Sequence, residues 1–144
     1  MPHREIKTII RNRPVITASA KTTVSEAARL MKRNKVGAIM VVERDQLTGI
    51  FTERDAIFRV LAEGLDPQTT RVGEAMTPHP QSIDADKPVG HALLLMYENG
   101  YRHVPVVEDG RPIGMISARD ALGPELQHFQ SELERREHIK EILG

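Results

Sequence analysis

The segment Gly49-Ile50-Phe51-Thr52-Glu53-Arg54-Asp55 returns 65 residues later as Gly114-Met115-Ile116-Ser117-Ala118-Arg119-Asp120. Both copies read glycine, two apolar residues, a hydroxyl residue, any residue, arginine and aspartate. The same offset pairs Ala20 with Ala85, Val24 with Val89, Ala27 with Ala92, Leu30 with Leu95, Met31 with Met96 and Asn34 with Asn99. Val41-Val42-Glu43 falls on Val106-Val107-Glu108. No gap interrupts these pairs. An offset held over this span means a duplicated unit, so the two copies must share one fold.

Each copy reads as alternating strand and helix. In the first, a short strand near Pro14–Thr17 precedes a helix with Val24, Ala27, Ala28, Leu30 and Met31 on one stripe, ended by Asn34. Ala38–Val42 suits a strand buried on both faces, and Arg44-Asp45-Gln46 turns into a partner strand, Leu47–Thr52. Glu53–Glu63 is expected to be a helix with Ala56, Ile57, Val60 and Leu61 inward, stopped by Gly64. Residues 65–80 connect the copies, with a helical turn at Val72–Met76. The second copy has a short strand at Ser82-Ile83, a helix carrying Val89, Ala92, Leu93, Leu95 and Met96, and a hairpin across Asp109-Gly110. Pro105 cannot donate a ladder hydrogen bond and is expected at the start or edge of its strand. After Gly123-Pro124 comes an unrepeated helix. Its broken stripe of Leu126, Phe129, Leu133, Ile139, Ile142 and Leu143 packs either on the repeats or on a partner.

The chain has 144 residues, 40% hydrophobic and 28% charged, a globular composition. A net charge of zero argues against phosphate-driven nucleic-acid binding. Two Tyr, three Phe and no Trp leave little for base stacking. With no Cys, disulfides and thiolate chemistry are excluded. Met1–Lys7 lacks the apolar core of a signal peptide, and no run has the length of a membrane span, so a cytoplasmic protein is expected. His3, His79, His91, His128 and His138 are scattered; Glu134 and His138, four apart, read as a solvated helix pair rather than metal ligands. No metal site and no catalytic residues are expected, and no phosphate-loop or dinucleotide fingerprint is present.

Thr52-x-x-Asp55 and Ser117-x-x-Asp120 admit two readings. Each hydroxyl suits a helix N-cap and each aspartate the reciprocal position of a capping box, which requires no ligand. Equally, a helix start directly after a strand presents backbone N–H groups to an anion. The hydroxyl then meets phosphate, the carboxylate accepts from vicinal ribose hydroxyls, and Arg54 and Arg119 add charge.

Three features together, at one offset, resemble the cystathionine-β-synthase (CBS) domain, which usually occurs as a tandem pair. They are the Gly-x-x-Thr/Ser-x-x-Asp endings, the strand Arg102-His103-Val104-Pro105-Val106-Val107 and the connector Val72-Gly73-Glu74-Ala75-Met76-Thr77. The resemblance covers Pro14–Leu122. It implies an α/β fold of two β-α-β-β-α repeats with pseudo-twofold symmetry. The parts are a lead-in (1–13), repeat 1 (14–66), a connector (67–79), repeat 2 (80–122) and the C-terminal helix (123–144).

The resemblance further implies two clefts between the repeats, each joining the base-binding strands of one to the Thr/Ser-x-x-Asp motif of the other. One would use Ile16, Val36, Gly37 and Ala38 with Ser117, Arg119 and Asp120. The other would use Gln81, Tyr101, Arg102, His103 and Pro105 with Thr52, Arg54 and Asp55. Gly37-Ala38 and Met40 stand where repeat 2 has Arg102-His103 and Pro105, so unequal affinities are expected. The function implied is a regulatory, non-enzymatic sensor in signal transduction. Its ligand is an adenosine-containing nucleotide (AMP, ADP, ATP, NAD(H) or S-adenosylmethionine), with or without Mg²⁺. A homodimer and a further protein partner are implied as well. The rival reading is a ligand-free structural or interaction module whose motifs serve only as caps.

Overall fold

Two tight turns build the two halves of the molecule. A computed structural model describes residues 4–121 and 123–143. Strands β2 (Ala38–Glu43) and β3 (Gln46–Thr52) are joined through Arg44 and Asp45, at φ of 50° and 64°. Strands β6 (His103–Glu108) and β7 (Arg111–Ser117) are joined through Asp109 and Gly110, at 52° and 80°. Two consecutive left-handed residues give the turn whose twist matches that of antiparallel strands. Both hairpins carry a register irregularity at the same place, Val41/Val42 and Val106/Val107.

A two-residue strand runs parallel to each hairpin: β1 (Thr17–Ala18) on β2, and β5 (Ile83–Asp84) on β6. Helices α2 (Val24–Asn34) and α5 (Val89–Asn99) cover the sheets. Thr23 caps α2 in a reciprocal box with Glu26, and Lys35 and Gly100 close the two helices in the left-handed conformation. Repeat 1 is a four-stranded sheet, β1-β2-β3-β4, its last strand being Thr77–Pro78 of the connector; repeat 2 is β5-β6-β7.

Each core is completed from outside its own repeat. Helix α1 (Ile6–Ile10) of the lead-in buries Ile6 and Ile10 among Ile83, Ala92, Met96, Val104, Val106 and Ile116 of repeat 2. Helix α4 (Val72–Ala75) of the connector buries Val72 and Ala75 among Val24, Ala27, Met31, Val41 and Phe51 of repeat 1. The docking bonds match. Ile6 and Lys7 N–H donate to the Lys87 and Ala85 carbonyls, as Val72 and Gly73 N–H do to Thr22 and Ala20. The acceptors keep the offset of 65, whereas the donors are displaced by 66, so the repeat extends into the lead-in with one residue inserted.

Two expectations are corrected, and one open alternative is narrowed. The helix after β3 begins as α3 (Glu53–Asp55) but runs on as a π-helix over Ala56–Leu61, with Ala62 N–H bonded to the Ile57 carbonyl. Its wider turn keeps Val60 buried and Ala56 against the core, but turns Ile57 and Leu61 outward, 50% and 74% exposed. Pro105 lies inside β6, the central strand of its sheet, rather than at an edge. This is tolerated because β5 pairs with β6 only from Val106 onward. The position equivalent to Pro105 is Met40, whose N–H bonds the Ile16 carbonyl; repeat 2 lacks that one bond. Finally, α6 (Ala118–Ala121) is followed by α7 (Gly123–Leu143), in which 131–142 are exposed. Leu133, Ile139 and Ile142 therefore do not pack on the repeats. The side chains of Leu126, Phe129 and Leu143 lie outside the described residues, as do those of His3 and His128.

Candidate functional site

Both motifs form complete capping boxes. Thr52 Oγ1 accepts from Asp55 N–H at 3.1 Å while Asp55 Oδ2 accepts from Thr52 N–H at 3.0 Å. Asp120 Oδ2 accepts from Ser117 N–H at 2.9 Å and from the Ser117 hydroxyl at 3.0 Å, and Ser117 Oγ accepts from Asp120 N–H at 3.2 Å. The capping expectation is thus met in both repeats, and each aspartate keeps its second oxygen, Oδ1, outside the box.

Those second oxygens meet different arginines. Asp55 Oδ1 lies 3.5 Å from Arg59 Nε, one turn on, and Arg59 Nη1 is also held by the Met76 carbonyl at 2.9 Å. Asp120 Oδ1 lies 2.8 Å from Nη1 of Arg13, in the lead-in. Arg4 Nη2 donates to the Asp120 carbonyl at 3.2 Å. Position 59 corresponds to Pro124, so repeat 2 has no residue able to copy the Arg59 contact.

The motifs open onto one continuous cleft of about 1480 Å³ between the repeats. Of the expected site residues, Ile16, Val36, Gly37, Ala38, Ser117, Arg119 and Asp120 line it, as do Gln81, Tyr101, Arg102, His103, Thr52, Arg54 and Asp55. Pro105 does not: it is fully buried, paired with Met115 inside the sheet. Backbone register groups the rest by repeat. Ala38 faces Thr52 and the Gly37 carbonyl accepts from Glu53 N–H; His103 faces Ser117 and the Arg102 carbonyl accepts from Ala118 N–H. The segments expected to meet across the repeats are therefore joined first within each repeat. The crossing is made by side chains.

The crossing centres on His103. A Cβ added to Gly37 would collide with the Glu53 carboxylate and make an ordinary contact, 3.5 Å, with His103 Cε1, so glycine is what lets the Glu53 side chain approach while His103 lies alongside. Burial lowers the His103 imidazole below its ordinary value; Glu53 and Asp120 oppose that shift and Arg102 adds to it. Arg54 lies over the Phe58 ring, 5.6 Å from its centroid, at the cleft margin.

The cleft also holds residues that the repeat pattern does not single out. Arg13 lies in the lead-in, ahead of the residues whose pairing the offset reveals. Glu53 is the free position of its motif and becomes Ala118 in repeat 2. Neither motif nor repeat pairing in the sequence marks Arg13. Glu134 and His138 are exposed on α7, and among the described residues no group of three metal-ligating side chains occurs. No described helix is long and apolar enough to cross a membrane.

The family model of the CBS domain matches residues 6–62 and 72–123. The chain is 42% identical over 98 residues to the meiotically up-regulated gene 70 protein of Schizosaccharomyces pombe, covering 67% of this chain and 13% of that protein. It is 35% identical over 118 residues to a mitochondrial CBS domain-containing protein of Arabidopsis thaliana, covering 78% and 57%. Against the CBS domain-containing protein YhcV of Bacillus subtilis it is 38% identical over 106 residues, covering 74% and 75%. The chain thus spans less than two thirds of the first two relatives. Among solved structures it is similar to a Pyrobaculum aerophilum CBS domain protein complexed with AMP, with TM-score 0.74, 26% identity and coverage of 81% and 89%. It is also similar to a hexameric CBS-CP12 protein from bloom-forming cyanobacteria, with TM-score 0.76, 30% identity and coverage of 85% and 68%.

Proposed function

This chain belongs to the CBS-domain family as a tandem pair, and from that premise we propose that it is a regulatory, non-catalytic sensor of an adenosine-containing nucleotide. One observation carries the reading. Two carboxylates, Asp55 and Asp120, each with one oxygen outside its capping box, open onto a single cleft that Arg54, Arg102, Arg119 and His103 also line. A carboxylate oxygen suits a ribose hydroxyl, and guanidinium groups suit phosphate. The AMP bound by the Pyrobaculum relative supports the same ligand class. If the ligand is a polyphosphate, Mg²⁺ would be expected with it, bound mainly by phosphate and water.

Binding would act by favouring one arrangement of the two repeats, to the extent that the ligand prefers it. A partner protein then reads that arrangement. Ile57, Phe58 and Leu61 form an apolar strip on the π-helix, suited to self-association as a homodimer. We place the protein in the cytoplasm.

The rival, a module without ligand, is favoured by the completeness of both capping boxes. A thermal-shift series separates them. AMP, ADP, ATP, GTP, NAD⁺, NADH and S-adenosylmethionine are each tested on the parent and on Asp55→Asn and Asp120→Asn. Asn conserves a cap acceptor but loses the carboxylate charge. A ligand at 100 times its Kd adds about 2.7 kcal/mol to stability. A selective rise for an adenine compound, reduced in at least one variant, is expected. No rise with any compound at millimolar concentration would establish the rival instead.

A further inference from the structure

We infer that Arg13 makes the repeat-2 half of the cleft selective for a phosphorylated nucleoside over the bare nucleoside, an inference that rests on the nucleotide reading above. The argument begins at Asp120. Its Oδ2 already accepts two donors from Ser117, and its Oδ1 is taken by Arg13 Nη1 at 2.8 Å. Little acceptor capacity is left for a ribose diol while Arg13 stays in place. A nucleoside must displace the arginine and returns its guanidinium only to water.

A nucleotide changes that balance, because its phosphate offers the displaced guanidinium a new bidentate partner. Arg13 is able to move. Its side chain is about half exposed, and it sits between α1 and β1 rather than within either. Arg102 and Arg119 line the same cleft and add positive charge to it. The repeat-1 half differs. Asp55 Oδ2 accepts only the Thr52 N–H among the contacts described, and Arg59 is tethered by the Met76 carbonyl, so it cannot follow a phosphate without breaking that bond. The two halves of the cleft are thereby assigned different tasks. Repeat 1 keeps Asp55 beside a tethered arginine that does not answer to phosphate, and repeat 2 needs a phosphate to draw Arg13 off its carboxylate.

The test is calorimetric titration with adenosine and with AMP, on protein carrying Asp55→Asn to quiet the repeat-1 motif. In that background Arg13→Ala should tighten adenosine, weaken AMP and lower the AMP-to-adenosine affinity ratio roughly tenfold or more, the scale of one charge-assisted contact. Arg13→Lys, which keeps the charge but not the planar fork, should lower the ratio by less. Arg11→Ala, removing an exposed cation two residues away, should leave it unchanged. An unchanged ratio in Arg13→Ala, or equal weakening of both compounds, would overturn the inference while leaving the nucleotide reading intact. Parent protein that binds neither compound would overturn the inference, and the nucleotide reading falls with it only if the thermal-shift series also shows no rise with any compound.

Discussion

Ile10 occupies the space above Gly114 that a side chain would fill: a Cβ at Gly114 would lie 2.9 Å from the Ile10 side chain. The equivalent pair in the other half is Met76 and Gly49, where an added Cβ would collide with the thioether. Each hairpin thus keeps a glycine open for a residue delivered by the segment preceding the opposite repeat.

The two glycines should not respond alike to substitution. Ile10 is β-branched and stiff, whereas Met76 is flexible and can give way. Gly114→Ala is expected to lower stability by about 1–3 kcal/mol, and Gly49→Ala by less. Equilibrium urea denaturation checks the order, and hydrogen exchange at residues 6–10 should rise only in Gly114→Ala.

The hydroxyls of Thr52 and Ser117 should each count as helix caps whatever the ligand. Thr52→Ala and Ser117→Ala are each expected to cost about 1 kcal/mol without ligand, and Thr52→Ser a few tenths at most. Thermal midpoints of the unliganded proteins measure this. An unchanged midpoint in both alanine variants would mean that the boxes contribute nothing.

His103 should make stability depend on pH. Burial keeps its folded-state pKa below the ordinary 6.5, so the unfolded chain takes up the proton first as pH falls. Its contribution is complete above 6.5 and is lost as pH drops through that value toward the folded-state pKa. As pH falls through 6.5 the thermal midpoint should fall, and His103→Gln should flatten the fall. An equal slope in the two proteins would place the dependence on another group.

Leu61 should mark the self-association surface. It is 74% exposed beside Phe58 and Ile57 on the π-helix. Leu61→Glu is expected to shift the particle from dimer to monomer in analytical ultracentrifugation, with thermal stability little changed at fixed protein concentration beyond the loss of association itself. A parent protein already monomeric would refute the assignment.

Much of the fold was legible in the sequence because two kinds of signal coincide. Asp109-Gly110 and the apolar runs around it announce a hairpin locally, and the offset of 65 residues carries that assignment to Arg44-Asp45, a pair with weaker turn chemistry. The motif residues were equally legible, since Thr52, Asp55, Ser117 and Asp120 recur at fixed spacing. Ile57 and Leu61 were misplaced because helical spacing assumes an α-helical period, and the chain widens there into a π-turn. Pro105 was misplaced because its fit depends on how far β5 extends along β6, a property of pairing that proline alone does not reveal.

By itself, then, the sequence determined the duplication, the secondary elements of each copy, the two capping motifs and the family. These depend on local propensity, periodicity and repetition, all of which are written along the chain. The tertiary structure decided that α1 completes repeat 2 and α4 completes repeat 1, that both motifs face one cleft, and that Asp55 and Asp120 meet different arginines. Those facts depend on which distant surfaces bury each other. Ile6 and Ile10 leave water by packing against residues more than seventy positions away, and in doing so they carry Arg13 to Asp120.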